Sequence, residues 1–386
     1  MLHSELLSTA HEIPEGWDDI GNDNLLKKEF LIALEQGSPG NIHNYYLAVF
    51  KDGKIVGRAL FQHVKLNVGN MLRYWPDNRF VIKIKSTLSC LLKGHILVCG
   101  NLTHTGQHLF DYDKSKISPS DWSNILKKSV DRHIAELRAR GIKIQMVLLK
   151  DFNDSFNGLD FSILDKVWCG YKAYVQPSME LLIPSNWTEH SSYTGLLTKK
   201  YRRRYLTARR KIKDLKLKEL DLASLRREQD ILYSLYLNVS NNAKFNTFVL
   251  PSDHFVRYKD KLGDNFKVFG YYEDGKLIGF YTLILNGDIL ETYFLGYNSE
   301  CLKERQLYLN MLYGMLEYAI DNKFQKVVYA RTALEIKSSV GAEAKPMFMY
   351  IFHTNRLWNI ALKPIFNWLN PEENWIPRNP FRQDFT

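Results

Sequence analysis

The run VFGYYEDGKLIGFYTLIL (268–285) reads as a single β-hairpin. Its arms are rich in Val, Phe, Tyr and Ile, and Asp274-Gly275 between them supplies the positive backbone angles of a two-residue turn. The arrangement has an echo earlier in the chain, YYLAVFKDGKIVGRALFQ (45–62), which turns at Asp52-Gly53. Two hairpins built to one plan make an internal repeat the first expectation.

The segments downstream of the two hairpins also match. After the first come a strand at His95–Cys99, a helical pattern over Ser120–Arg140 and a buried strand at Ile142–Leu149. After the second come Asp288–Leu295, Lys303–Lys323 and Lys326–Arg331, in the same order. A further strand, Ala173–Ile183, ends in turn chemistry at Pro184-Ser-Asn-Trp187, so the junction between two α/β copies is expected there. The expected domains are 1–185 and 186–386, and 386 residues suffice for two cores.

Composition narrows the class. Hydrophobic residues make up 45% and aromatics 13%, as in a globular chain with aromatic surface to spare for a pocket. No apolar run approaches the roughly 20 residues of a membrane-spanning helix, and the N-terminus carries no signal-peptide pattern, so a cytoplasmic location is expected. Cys90, Cys99, Cys169 and Cys301 are scattered and read as reduced thiols; neither they nor the eleven histidines form a metal-ligand pattern. The formal charge of +10 sits in one place: Lys199–Lys218 holds eleven basic residues and only Asp214 as an acid. Such a segment reads as a surface for an anionic partner.

Hairpin, strand, helix, strand is the order of the GNAT (Gcn5-related N-acetyltransferase) fold. Two such halves, with a basic helix opening the second, resemble the Fem-type aminoacyltransferases and the wider group of bacterial tandem acyltransferases, including ceramide-synthase-like ones. The opening PEGWDDI (14–20) and FLIALE (30–35) look like the start of those proteins. The resemblance implies an α/β (α+β) fold of two tandem GNAT-like, acyl-CoA N-acyltransferase domains, with the active site in the second. It also implies that the ends of the fourth and fifth strands of that half carry the chemistry.

N-acyl transfer needs a base for the amine, donors for the oxyanion, an acid for the leaving group and a grip on the carrier. Glu291 lies in an otherwise apolar strand, where burial would suit it to take an amine proton; the alternative is a strand residue paired with a lysine. Arg331, Glu335 and Lys337, in RTALEIK (331–337), resemble an Arg-Thr-x-x-x-x-Lys segment of the tandem proteins, and Gly341 comes soon after as a point of close backbone approach. Their alternative is a surface ion-pair cluster. Lys199, Arg202, Arg203 and Arg209 on the basic helix, with Tyr293 and Tyr297, are the expected donor-binding residues. The helix's apolar positions 201, 205, 208, 212 and 215 form one stripe for docking.

Acetyl-CoA-dependent GNAT enzymes carry a glycine pair whose amides hold the pyrophosphate at a helix N-terminus. The matching span, GYNSECLKERQLY (296–308), has none, which points to a larger donor. The expected co-substrate is an acyl thioester on CoA or acyl carrier protein, with no metal, and the acceptor an amine of a lipid precursor or amino-acid derivative. An anionic membrane surface is a further expected partner, with peripheral attachment to the inner face. Two alternatives stand beside this: a Fem-type transferase using aminoacyl-tRNA on a peptidoglycan precursor, and a non-enzymatic binder of RNA or membrane. In the first half, CGNLTHTG (99–106) reads as a small polar loop in which His104 is either a proton carrier or incidental. The aromatic C-terminal stretch 347–369 starts as a strand, and the rest of it either packs between the halves or meets lipid, at a bilayer or along an acyl channel.

Overall fold

The computed structural model describes residues 2–66, 94–154, 156–242, 246–355, 357–359 and 375–382. Two compact units emerge: Met1–Val175 with Lys244–Pro251 and Pro346–Glu372, and Gln176–Ala243 with Ser252–Lys345 and Glu373–Thr386.

The first unit contains β1 (Leu2–Leu7), α1 (Lys28–Gln36), β2 (Ile42–Lys51), β3 (Lys54–Leu66), β4 (Gly94–Cys99), β5 (Phe110–Tyr112), α2 (Pro119–Ala139), β6 (Ile144–Phe152) and α3 (Phe161–Trp168). Its strands run in the order β1-β2-β3-β4-β6, with β5 added to β3. The hairpin turns at Asp52 and Gly53, at φ 52° and 77°. Strands β4 and β6 are parallel, so the chain must cross over between them, and α2 is that crossover. Its start is set by Ser118, whose side chain accepts from Asp121 N, with Pro119 in the first turn.

The second unit comes after β7 (Tyr171–Leu182), which crosses the unit boundary. It holds α4 (His190–Leu196), α5 (Lys199–Arg210), β8 (Lys216–Glu219), α6 (Leu222–Arg227), α7 (Gln229–Asn241), α8 (His254–Leu262), β9 (Phe266–Glu273), β10 (Lys276–Asn286), β11 (Ile289–Tyr297), α9 (Ser299–Glu304), α10 (Leu307–Asp321), β12 (Lys326–Val328) and α11 (Leu334–Ser338). The strand order is β7-β12-β11-β10-β9-β8. Asp274 and Gly275 turn the hairpin at φ 48° and 79°, β11 and β12 are parallel, and α10 is the crossover. The repeat expected from the hairpins is present in the topology of both units.

Each hairpin has a glycine five residues after its turn aspartate, and the structure gives the reason. A Cβ on Gly57 would lie 2.4 Å from the Trp122 ring of α2, and one on Gly279 would lie 2.7 Å from Leu307 and 2.9 Å from Met311 of α10. The crossover helix presses on the hairpin at the same point in both copies, a closeness that a side chain would forbid.

Two elements depart from the sequence expectation. The helix expected over 303–323 is broken: α9 ends at Glu304, Gln306 sits at φ 47°, and α10 begins at Leu307. Arg305 at the break is held by Asp214 at 3.1 Å, by Lys211 O at 3.2 Å and by Glu273, so the chain turns there to satisfy it. The other departure is β13 (Glu343–His353). From Pro346 onward it belongs to the first unit, pairing antiparallel with β6 and placing Phe348, Tyr350 and Phe352 in that unit's core. The units are therefore not the contiguous halves 1–185 and 186–386, because one strand near the chain's end completes the first sheet. Of the C-terminal aromatic stretch, Trp358 is exposed, while Ile365, Phe366 and Trp368 lie outside the described residues, as does Cys90.

Helix α5 docks by its expected stripe. Tyr201 and Ala208 are buried in the second unit's core, and Tyr205, Ile212 and Leu215 pack against it. Regular helix ends at Arg210, with the last two stripe residues in the turn after it. No helix among the described residues is long and apolar enough to cross a membrane.

Candidate active site

Strands β11 and β12 pair over only three residues, Ile289–Glu291 with Lys326–Val328. Beyond Val328 the chain stays hydrogen-bonded to Met179 of β7 through Tyr329 and Ala330, while β11 continues to Tyr297 without it, so the two part like the arms of a V. Glu291, 5% exposed, is the last paired residue on its strand and stands where the V opens. Just past it, Thr292 pairs with Leu283 but Leu295 with Tyr281, so β11 carries one extra residue. That bulge takes Tyr293 and Phe294 out of register and reverses the alternation of side chains. Leu290 and Leu295 consequently share the α10 face despite their odd spacing. Glu291 and Tyr293 point to the other face, where α8 packs. There the Tyr293 hydroxyl shares a 3.1 Å hydrogen bond with His254 Nε2 and donates to Tyr258 at 3.3 Å.

The V opens onto a pocket of about 480 Å³, within the range of small-molecule sites. Leu295 and Tyr297 of β11, Leu302 of α9, Tyr308 and Leu309 of α10, Val239 of α7 and Ile336 of α11 make its wall mostly carbon. The polar contributions come from Arg204, Gln306 and Thr332. Arg204 projects from α5, half-buried, with no carboxylate partner among the described residues. Burial raises the Tyr308 hydroxyl pKa, with Tyr297 adding to the effect, so the phenol is a proton-bearing group at neutral pH.

The far wall is a strained loop. Ala330, Thr332 and Ala333 have φ of 56°, 65° and 50°, a left-handed conformation costing about 1–3 kcal/mol each for residues with a side chain. Surrounding bonds hold it: Met179 N donates to Ala330 O at 3.0 Å, and Lys337 Nζ donates to the Arg331 carbonyl. Lys337 is 4% exposed, and its burial pushes the ammonium pKa down to about 7.

The residues singled out from sequence thus fall in different places. Tyr297 lines the pocket, and half-buried Arg331 precedes the lining residues Thr332 and Ala333. Glu291 is at the apex, and Lys337 is behind the loop. Glu335 is exposed, accepting from Ile376 N at 3.2 Å and paired with Arg378 at 3.2 Å, contacts that in that order hold its carboxyl below the usual range. Lys199, Arg202 and Arg203 are exposed on α5, whereas Arg209 is tied to Glu317 of α10 and lies over the Tyr205 and Tyr313 rings. Gly341, at φ 105°, makes room for Phe381, whose ring a Cβ would meet at 2.6 Å. Arg204, Gln306 and Tyr308 were not singled out: the docking of α5 brings Arg204 to the pocket, and the helix break places Gln306 and Tyr308 there.

Residues 199–338, which contain the V, the pocket and the basic helix, match the family profile described as Acetyltransferase (GNAT) domain. The second unit is a GNAT acyltransferase domain. Among solved structures the chain is similar to FemX, with 12% identity and a TM-score of 0.55 over 93% of this chain and 100% of that one. It is also similar to a tandem GNAT protein from the clavulanic acid biosynthesis pathway, with 9% identity and a TM-score of 0.51 over 92% and 99%. At such identities the likeness shows the fold, which is tandem GNAT across the chain. No curated protein matches the sequence. Among the described residues no group of three or more His, Cys, Asp or Glu could hold a metal ion.

The GNAT domain's V has a counterpart in the first unit, filled with side chains. Pairing of β4 with β6 ends at Cys99 and Leu149. Beyond it Lys150 and Asp151, 5% and 0% exposed, form an ion pair, and Lys150 Nζ donates to His104 O at 2.5 Å. Asp151 accepts from Gly106 N at 3.1 Å, and Asn101 Oδ1 accepts from Thr103 N at 3.0 Å. His104, 6% exposed, belongs to this network.

Proposed function

We propose that the second unit transfers an acyl group, with a long chain the best fit, from a thioester carrier to the amine of a lipid precursor or amino-acid derivative. The observation that carries this reading is the V between β11 and β12, with a buried carboxylate at its apex and a carbon-lined pocket at its mouth. The amine nitrogen attacks the thioester carbonyl, forming the C–N bond, while the Glu291 carboxylate accepts the amine proton. The oxyanion is met by the guanidinium of Arg331, at the end of the strand that parts from β11. Collapse breaks the C–S bond, and the thiolate leaves with the proton returned from Glu291. Lys337 acts as a positioning residue, holding the Arg331 carbonyl rather than touching the donor.

The carrier is bound through charge. Arg204 at the pocket, with Lys199, Arg202 and Arg203 on the exposed side of the same helix, suits the phosphate of a phosphopantetheine arm and an acidic carrier protein behind it. Gln306 and Tyr308 occupy the start of α10, where acetyl-CoA-dependent enzymes carry glycines, so the glycine pair that lets a pyrophosphate approach the backbone amides closely is absent from 296–308. An aminoacyl-tRNA donor uses the same basic helix, but the segment between Lys199 and Pro251 folds into short elements with no long helical arm among the described residues.

The test is amide formation by the purified chain with acyl-CoA, acyl carrier protein and aminoacyl-tRNA as donors and amino alcohols and amino-acid lipids as acceptors. Amide from an acyl thioester is expected. Product from aminoacyl-tRNA alone would replace this reading with the Fem-type one, and no product from any donor would end both.

A further inference from the structure

We infer that the first unit carries a pH-sensitive catch: His43 of β2, His63 of β3, His95 of β4 and His133 of α2 form one cluster that seats the second half of α2 on the sheet while uncharged and lets it go in mild acid. The inference stands apart from the acyl-transfer reading and concerns the other unit. Strand register gathers three of the four. His43 lies opposite His63, and His95 comes onto the same face from β4, two residues from the partner of His63. The His43 and His63 rings stack with centroids 5.7 Å apart, and His63 Nε2 shares a 2.7 Å hydrogen bond with His95 Nδ1. His133 closes the cluster from the helix, its ring 4.3 Å from that of Tyr45. His63 and His133 are 3% and 2% exposed.

The surroundings give a positive charge nothing to rest on. Both ring nitrogens of His133 are buried with no hydrogen-bond partner, and the carboxylate beside it, Glu136, is exposed and 3.8 Å from Nδ1. The other charged groups that face the cluster are all positive: Lys65 of β3 acts on His95, and Arg132 of α2 and Arg140 at its end act on His133. From β1 come Ser4 and Leu6, and from β6 Ile144 and Val147, none of them titratable. The bond between His63 and His95 holds one proton between two nitrogens, and a second would set two N–H groups against each other at that distance. Burial first, then the neighbouring histidines, hold the His63 pKa down to about 4; burial first, then Arg140 and Arg132, do the same for His133. The unfolded chain takes up these protons near pH 6.5, so stability is complete above that pH and is lost as the pH falls toward 4. At pH 5 each of the two costs about 30-fold in the unit's folding equilibrium, and together about 10³-fold.

Amide hydrogen exchange of the full chain, read by mass spectrometry and corrected for the intrinsic effect of pH, tests this at pH 7.5 and pH 5. In the wild type, protection of peptides from β2, β3, β4 and the second half of α2 is expected to fall by at least about 100-fold between the two. In the double variant His63→Gln/His133→Leu, which carries neither buried imidazole, the fall is expected to be less than about tenfold. A wild-type change within about threefold, or a fall in the double variant as large as in the wild type, overturns the inference. If the double variant does not fold, the imidazole ¹⁵N shifts of the wild type decide: His63 and His133 neutral at pH 6 uphold the catch, and either one charged at pH 6 in the folded chain overturns it.

Discussion

Replacing Lys337 by methionine is expected to make the protein more stable and less active. The side chain is 4% exposed, and burial lowers its pKa from 10.5 to about 7. Between these values the unfolded chain holds a proton that the folded chain has released, so stability rises with pH across that window and the penalty is complete below it. At about 1.4 kcal/mol per unit, the burial costs about 4 kcal/mol at pH 7 and about 2 kcal/mol at pH 9. Methionine fills similar volume without a charge but removes the hydrogen bond to the Arg331 carbonyl, worth about 1 kcal/mol. Lys337→Met should therefore gain about 3 kcal/mol at pH 7 and about 1 kcal/mol at pH 9, read from guanidinium unfolding of the second unit's transition at both pH values. Acyl transfer should fall, because the loop carrying Arg331 and Thr332 loses its tether. A variant less stable than wild type at pH 7, or a difference that is the same at pH 7 and pH 9, would refute the reasoning.

The paired glycines give a comparison within one chain. Gly57→Ala is expected to cost about 2–3 kcal/mol, since the Trp122 ring 2.4 Å from the new Cβ is rigid and fully buried, whereas Gly279→Ala costs about 1 kcal/mol because the tips of Leu307 and Met311 can move. Thermal unfolding of the two variants checks the order. Reversing Arg202 and Arg203 to glutamate should leave stability within about 0.5 kcal/mol, both being exposed and without ion pairs among the described residues. The same change should raise the KM for a carrier-protein donor, most strongly at low salt; a KM independent of salt would separate these arginines from the carrier.

Much of the fold was readable in the sequence because its signals are local. The Asp-Gly turns need only two residues, and the crossover helices announce themselves by their period, although the start of α10 carries no side-chain cap. The docking stripe of α5 is set by five positions. What escaped depends on contacts distant along the chain. Strand β13 had a readable β pattern, but its pairing with β6 joins residues about two hundred apart, and no periodicity carries that. At the break before Gln306, Arg305 is held by Asp214 and Glu273, far from it along the chain, and the helix that starts after it brings Tyr308 and Leu309 to the pocket. In the candidate site, sequence pointed to Glu291 by its type within an apolar strand, and to Arg331, Glu335 and Lys337 through the resemblance of their segment to one of the tandem proteins; the burial of Lys337 was not legible. It did not distinguish Arg204 from its neighbours, because which arginine of a basic run faces a pocket is decided by how the helix docks.

The central claim is that amine acylation takes place at the V, with Glu291 as the base. The most direct measurement is kcat for amide formation by Glu291→Gln beside the wild type, with the donor on which the wild type is most active. Glutamine keeps the size and removes the basicity, so kcat should fall by about 10²–10⁴-fold while donor binding is unchanged. A variant that retains kcat within about threefold of wild type would contradict the account.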